Sequence, residues 1–261
     1  MNESAAPVSL ESPEPYVALV TLRRPEARNA VNGAVAQALD RIVKATEADD
    51  DVRVVVLTGA GGQAFCAGAD LKEVSQGRLN DLMTHDGGFG GFVRAKRDKP
   101  WIAAVDGFAL AGGCEIALAC DMIVASDDAA FGLPEVTRGL IAAAGGLFRL
   151  PRALPRALAL ELIATGGRLP AASALAFGLV NRVCPKARTL PEAIALAAAI
   201  SGNAPIAVRE SLAVARRAYD LDDETLARLS DEAQARVMLT ADFREGPVAF
   251  IEKRAPRWLG R

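Results

Sequence analysis

Two glutamates have surroundings that suit acid–base chemistry at a carbonyl group. Glu115 comes just after the glycine pair Gly112-Gly113, and Glu135 comes directly after Pro134. A carboxylate behind a glycine pair is expected at a strand-to-helix turn, where backbone N–H groups are exposed. There it could move a proton while nearby amides hold a developing oxyanion. The second carboxylate lies in an equally apolar stretch, which suggests an acid–base pair.

Three turns of small residues accompany these carboxylates, at residues 66–70, 111–113 and 144–146. Small residues at a helix entry let a ligand approach N–H groups that the helix leaves without partners. Two such groups from different turns can grip one carbonyl oxygen, which makes an oxyanion hole without side chains. The alternative is that the glycines only permit tight turns and that the glutamates are ordinary helix-start and turn charges. Two turns with a glutamate directly beside one of them favour the functional interpretation.

Composition argues against several other classes of protein. The 261 residues carry 30 basic and 32 acidic side chains, a balance of −2, so nucleic acid and anionic membranes are not expected partners. A local basic site for a phosphorylated ligand remains compatible with this balance. The single histidine, His85, excludes an H-E-x-x-H zinc site, and no G-x-S-x-G motif supports a serine triad. We expect no metal ion and no cofactor.

The cysteines do not form a recognisable redox or metal motif. None of the four is part of a C-x-x-C pair, and a disulfide framework is not expected in a chain this large and apolar. We expect reduced and mostly buried thiols at Cys66, Cys114, Cys120 and Cys184.

Two segments are predicted to be flexible. Residues 1–14 are polar and acidic, and residues 77–91 contain five glycines. The start of the chain lacks the apolar core of a signal peptide, and no apolar run approaches the roughly 18 residues that span a bilayer. A cytoplasmic location, with no membrane partner, is the resulting expectation.

Hydrophobic patterning predicts an α/β half followed by a helical tail. Residues 16–22, 52–57 and 101–105 are rich in valine, leucine and isoleucine and read as strands, two of them buried on both faces. Helical periodicity dominates towards the end of the chain. We expect a core over residues 15–190 and an all-helical region over 191–261, whose apolar stripes need a partner subunit or the chain's own core to pack on.

The motifs around the two glutamates resemble those of the crotonase (enoyl-CoA hydratase/isomerase) superfamily. Residues 65–72 (FCAGADLK), 103–115 (AAVDGFALAGGCE) and 131–135 (FGLPE) appear in the family's order and spacing. The resemblance extends from residues 22–25 to residues 245–254 and so covers nearly the whole chain. It implies an α/β superhelix of repeated ββα turns, with a C-terminal helical region used for oligomerisation as a homotrimer or a dimer of trimers. It also implies an acyl-CoA thioester as the ligand.

The resemblance also implies residue roles. Glu115 and Glu135 match the two catalytic acids of the family's hydratases, and the N–H groups of Ala67 and Gly112 match its oxyanion hole. The positions implied in CoA binding are Arg28, Ala30, Ala67, Gly68, Ala69, Asp70, Leu71, Lys72 and Gly112. Because many members lack one of the two acids, their joint presence favours hydration. The predicted activity is that of an enoyl-CoA hydratase, a lyase of fatty-acid metabolism.

One segment departs from the hydratase pattern. Residues 141–146 read IAAAGG where hydratases usually carry a proline and a glycine before the alanine, so Ala143 replaces a glycine whose N–H helps to hold the catalytic water. Alanine still offers an N–H, but its methyl group restricts the backbone and the space for substrate. A carnitinyl-CoA dehydratase, to which the tail with Trp258 also points, is the nearest alternative. An enoyl-CoA isomerase and a catalytically silent acyl-CoA-binding protein are further alternatives, against which the pair of glutamates argues.

Overall fold

The computed structural model describes residues 6–261, which fold into twelve strands and ten α-helices. The strands are β1 (Val8–Glu14), β2 (Val17–Leu22), β3 (Val54–Gly59), β4 (Ala64–Cys66), β5 (Met83–Thr84), β6 (Gly88–Phe89), β7 (Trp101–Val105), β8 (Phe108–Leu110), β9 (Met122–Ser126), β10 (Ala130–Gly132), β11 (Arg168–Pro170) and β12 (Arg182–Cys184). The helices are α1 (Gly33–Ala48), α2 (Leu71–Ser75), α3 (Gly112–Ala119), α4 (Gly146–Ala153), α5 (Arg156–Thr165), α6 (Ala171–Ala176), α7 (Thr189–Ser201), α8 (Pro205–Ala215), α9 (Asp223–Met238) and α10 (Ala241–Ile251). Short 3-10 helices span Pro25–Ala27, Leu79–Leu82, Pro134–Arg138 and Lys186–Arg188.

A six-stranded sheet in the order β1-β2-β3-β7-β9-β12 forms the centre of the molecule. Only the β1–β2 pair is antiparallel. Along β3, Val55 and Leu57 face the large core, whereas Val54 and Val56 pack with Ala193 of α7 on the other side. Burial on both faces explains why the strands predicted from continuous apolar runs are found here.

A second sheet in the order β11-β10-β8-β4 positions the glycine turns and the glutamates. Its strands β4, β8 and β10 run parallel, so their C-terminal ends lie along the same edge. The turn at residues 67–70 follows β4, the turn that starts α3 follows β8, and Pro134–Arg138 follows β10. Three segments far apart in sequence therefore meet at one edge, where α/β sheets commonly bind ligands.

Strand β1 corrects the prediction of a flexible segment at residues 1–14. Residues 8–14 pair with β2, Val8 is buried in the core, and Arg23 of the neighbouring chain segment donates to Ser9 and Glu11. The prolines were compatible with a strand because the pairing is irregular between Glu11 and Glu14, close to an edge. Residues 1–5 lie outside the described part of the chain.

The glycine-rich segment 77–91 is also more ordered in its packing than predicted. Leu82 and Phe89 are buried in the core, and β5 pairs with β6 as a short hairpin. Its glycines permit close approach: a side chain on Gly91 would overlap the carbonyl oxygen of Ala36. Gly91 thus permits close packing against α1.

Among the described residues, the apolar contacts of the helical tail with the central sheet come from its first helix. Ala193 and Ala197 of α7 are buried against the sheet, whereas large apolar side chains in α10 and directly after α9 are exposed, with Phe250 and Leu239 each 85% exposed. Across the described residues no single helix is long and apolar enough to cross a membrane, and only α7 and α8 taken together with the turn before them, bent by 106°, pass the same test.

Candidate active site

A strained turn between β8 and α3 positions Glu115. Ala111 occupies this turn with φ 51° and ψ −131°, a backbone conformation that costs an alanine about 1–3 kcal/mol. Its N–H donates to the carbonyl oxygen of Gly132 in β10 at 2.9 Å. Gly113 lets the turn approach β4, because a Cβ atom there would overlap the Cys66 carbonyl oxygen. Sheet pairing and close backbone packing therefore hold the start of α3 in place.

The Glu115 carboxyl group is buried and receives backbone N–H groups. The residue is 3% exposed, and its Oε1 accepts a hydrogen bond from the Gly146 N–H at 2.8 Å. Burial, with a smaller contribution from the negative charge of Glu135, raises the pKa of Glu115 to about 7, while the amides of Gly146 and Ala144 oppose the rise. A carboxyl group with this pKa can both give and take a proton near neutrality.

Glu135 lies on the 3-10 helix Pro134–Arg138, immediately after β10. Burial raises the pKa of its carboxyl group, and the charge of Arg138 opposes that rise. Within residues 6–261 its buried Oε2 atom has no hydrogen-bond partner. Two carboxyl groups that are both partly desolvated and that repel each other as anions favour a state in which the pair holds one proton.

Within the described residues, the Gly112 N–H at the start of α3 and the Ala69 N–H in the turn after β4 have no hydrogen-bond partner. Gly112 is the first residue of α3, where an N–H has no partner inside the helix. Val31 fixes the other turn by donating to the Gly68 oxygen and accepting from the Asp70 N–H, each at 2.8 Å, which leaves the intervening amide unused. A Cβ atom on Gly68 would lie 2.9 Å from the Gly112 nitrogen, so the two turns touch.

This arrangement contradicts the prediction that Ala67 supplies an oxyanion-hole donor. The Ala67 N–H already donates to the carbonyl oxygen of Arg28 at 3.0 Å. The free amide of the same turn belongs to Ala69, two residues later. A sequence motif identifies the turn, but it does not show which N–H groups of the turn donate to another part of the chain. Here the acceptor is the carbonyl oxygen of Arg28, a residue in the left-handed conformation with φ 53°.

A cavity of about 360 Å³ lies beside β4 and β8 and has a basic lining. Its walls are formed by Arg28, Gln63, Ala64, Ala67, Gly107, Phe108, Leu110, Asp128, Arg168 and Lys186. The Arg168 guanidinium lies 4.9 Å from the centre of the Phe108 ring, and Lys186 pairs with Asp128 at 2.8 Å. A second cavity of about 370 Å³ shares Arg28, Gln63 and Ala64 with the first. The sequence analysis missed Phe108, Arg168 and Lys186, which no common motif links because they come from separate elements.

The other predicted CoA-binding residues have more local roles. Arg24 joins two of them, since it donates to the Ala30 carbonyl oxygen at 2.6 Å and to the Asp70 carboxylate at 2.9 Å. Leu71 and Lys72 begin α2 and are exposed. None of these three positions, 70–72, is among the described residues that line the two cavities.

Residues 141–146, which differ from the hydratase sequence pattern, lie beside Glu115. The Ala143 N–H donates to the Ile141 carbonyl oxygen at 2.9 Å, so it is already used within the loop. Ile141 itself is 66% exposed. The alanine N–H expected from the sequence is therefore present but engaged, and the amides that this loop directs to the carboxyl group are those of Ala144 and Gly146.

Comparison with known proteins places nearly the whole chain in one family. The enoyl-CoA hydratase/isomerase family profile matches residues 13–261. Carnitinyl-CoA dehydratase from Proteus mirabilis is 39% identical over 93% of this chain and 94% of its own length. Mevalonyl-coenzyme A hydratase sidH from Aspergillus fumigatus is 39% identical over 94% of this chain and 92% of its length.

Solved structures agree with the sequence comparison. The crystal structure of enoyl-CoA hydratase from Mycobacterium tuberculosis H37Rv is 42% identical and superimposes with a TM-score of 0.93, covering 98% of this chain and all of that one. The predicted α/β crotonase fold with C-terminal helices is thereby confirmed. This chain belongs to the enoyl-CoA hydratase/isomerase family, within the crotonase superfamily.

Proposed function

We propose that this protein is an enoyl-CoA hydratase that adds water reversibly to a 2-enoyl-CoA thioester and yields the 3-hydroxyacyl-CoA. The observation that carries the proposal is the buried carboxyl group of Glu115 together with the half-buried Glu135, whose Oε2 atom is buried without a partner among the described residues, and the free amides of Ala69 and Gly112. Relatives named as hydratases and dehydratases of different acyl-CoA compounds support a hydro-lyase reaction.

In the proposed mechanism, the Ala69 and Gly112 N–H groups hold the thioester oxygen and make the β carbon electrophilic. A water held between the two glutamates attacks that carbon and gives one proton to the ionised carboxylate. The protonated carboxyl group donates its proton to the α carbon, and the enolate electrons return from the oxygen to form the new C–H bond. Removing one donor from such a hole costs about 3–4 kcal/mol of transition-state stabilisation.

We further propose that the basic cavity binds the phosphorylated part of CoA. Arg28, Arg168 and Lys186 supply positive charge, and the exposed Phe108 ring offers a surface on which an adenine can stack. This local basic site is compatible with the chain's overall charge of −2. The residues replace the Asp70–Lys72 stretch as the principal candidates for phosphate recognition.

A carnitinyl-CoA dehydratase remains the second candidate, because a relative of that name is 39% identical along nearly the full length. The engaged Ala143 amide and the exposed Ile141 side chain differ from the expected hydratase loop and belong to the same segment as Ala144 and Gly146, whose amides are directed to Glu115. The two candidates share the proposed acid–base chemistry and differ in the acyl group that the loop admits.

The test is loss of absorbance of the conjugated thioester when the protein is mixed with crotonyl-CoA, longer 2-enoyl-CoAs or crotonobetainyl-CoA. Wild type should turn over at least one of them, and Glu115→Gln and Glu135→Gln should each lose roughly 100-fold or more in kcat. Glu161→Gln, which alters an exposed carboxylate on α5, is the matched control and should retain activity.

Each outcome separates the candidates. Turnover of crotonobetainyl-CoA alone would favour the dehydratase. Binding of every thioester without turnover would establish a silent acyl-CoA-binding protein and overturn the hydratase proposal. Full activity in both active-site variants would instead refute the roles of the two glutamates.

A further inference from the structure

Arg149 links the loop beside Glu115 to a distant part of the core. It lies in the first turn of α4, and its side chain donates to two backbone carbonyl oxygens, that of Ala144 at 3.1 Å and that of Val93 at 2.7 Å. Gly145, with φ 117°, makes room for it, because a Cβ atom there would overlap the guanidinium group. The side chain therefore lies directly under the turn at residues 144–146.

The same turn holds the Glu115 carboxyl group from its other side. The Gly146 N–H donates to Oε1 at 2.8 Å, and the Ala144 N–H is the second amide directed to this carboxyl group. Arg149 thus binds the carbonyl side of a turn whose amide side binds the proposed catalytic acid. It also lies close enough for its positive charge to stabilise the Glu115 anion.

We propose that Arg149 is a positioning residue that fixes the orientation of the Glu115 carboxyl group through the turn at residues 144–146. The inference rests on the proposed hydratase function and deepens it, since Arg149 acts through Glu115 and touches no reacting atom. The opposing possibility is that Arg149 only ties α4 to the segment that contains Val93.

The charged and titratable groups around Glu115 and Arg149 determine how the protonation of Glu115 responds to pH. Facing Glu115 are Glu135, which raises its pKa, and Arg149, which lowers it. Facing Arg149, besides Glu115, are Arg97, Arg152 and Cys120. Of these, Arg149 is the cation that acts on Glu115 directly, so its removal should raise the proton affinity of that carboxyl group.

The experiment compares Arg149→Met, Arg149→Lys and the control Arg152→Met by the pH dependence of kcat. Arg152 is on the same helix and pairs with Asp220 at 2.7 Å, so its replacement removes a cation without breaking a contact to the turn. Arg149→Met should lose roughly 10- to 100-fold in kcat, and the profile should shift to higher pH. Arg149→Lys should lose activity but keep the wild-type pH profile, because lysine retains the charge but not the two hydrogen bonds to the Ala144 and Val93 carbonyl oxygens.

A second readout does not depend on activity. Infrared difference spectra against pH follow the carboxylic acid C=O band, assigned to Glu115 by its absence in Glu115→Gln. In Arg149→Met this band should persist to higher pH than in wild type. An unchanged band together with an unchanged kcat profile would overturn the proposal, even if the variant were less stable. If wild type hydrates no thioester while the band still shifts, the proposed function fails and the positioning of Glu115 stands.

Discussion

Replacing Glu115 by glutamine should change the pH dependence of protein stability. The buried carboxyl group has a pKa of about 7, against 4.5 for the ordinary side chain, chiefly because burial disfavours its charged form. Glutamine has nearly the same shape and keeps an oxygen that can accept the Gly146 N–H. The substitution therefore removes the titration while it retains the principal contact.

The size of the effect follows from the pKa difference. One pKa unit corresponds to about 1.4 kcal/mol, so ionising Glu115 costs the folded protein about 3 kcal/mol relative to the unfolded chain. In the unfolded chain the group loses its proton near pH 4.5, whereas in the folded protein it keeps that proton up to about pH 7. The wild-type stabilisation by this proton is present at low pH and is lost as the pH rises through that window.

The assay is urea unfolding at one fixed protein concentration, followed by circular dichroism from about pH 5 to about pH 8. The free energy of unfolding of Glu115→Gln minus that of wild type should grow by about 2–3 kcal/mol across this range. Glu161→Gln, an exposed replacement, shows how much of any slope is unrelated to burial. A difference that stays constant or shrinks with rising pH would refute the assignment of Glu115 as a buried acid with a raised pKa.

Two further predictions concern the substrate and the assembly. Arg168→Met should raise KM for the CoA thioester about tenfold with little change in kcat, because a charged contact to phosphate contributes about 1.5 kcal/mol or more. Steady-state kinetics measure both constants, and Arg182→Met on β12 is the control. A loss confined to kcat would contradict the prediction. We also propose that the exposed apolar side chains of α9, of α10 and of Leu239 between them are covered in a homotrimer or a dimer of trimers. Sedimentation equilibrium should give a particle mass that is a multiple of three times the 27.3 kDa chain mass. The substitutions Leu239→Glu and Phe250→Glu should together reduce this particle mass. A monomeric wild type would contradict the proposal.

Much of the fold could be predicted from local sequence, because its causes are local. The continuous apolar runs of β3 and β7 predict strands buried on both faces, and the structure buries them between the large core and α7. The segment Val8–Glu14 was missed because its polar side chains and prolines hide a strand that is stabilised by pairing with β2. Pairing partners are non-local information that a single segment does not carry.

The candidate site likewise combines features that local sequence predicts with contacts that it does not. The motifs located Glu115, Gly112 and the turn at residues 66–70, since glycines and carboxylates mark positions with special backbone or charge. They could not show that Arg28 occupies the Ala67 amide, because that contact joins two turns from different parts of the chain. Arg168 was likewise invisible, because an arginine on a short edge strand has no signal until the fold brings it to the cavity.

The conformation of Ala111 has a consequence for how activity is lost. An isolated peptide would avoid this backbone geometry, which persists here while β8 is held beside β10 and the Ala111 N–H binds Gly132. Opening of that strand pair would relax the residue and withdraw the Gly112 amide and the Glu115 carboxyl group together. The catalytic geometry therefore behaves as one cooperative unit, present or absent in each molecule. In mild denaturant, the fraction of activity lost should then equal the fraction of molecules whose four-stranded sheet has opened. The remaining molecules should work at the full rate.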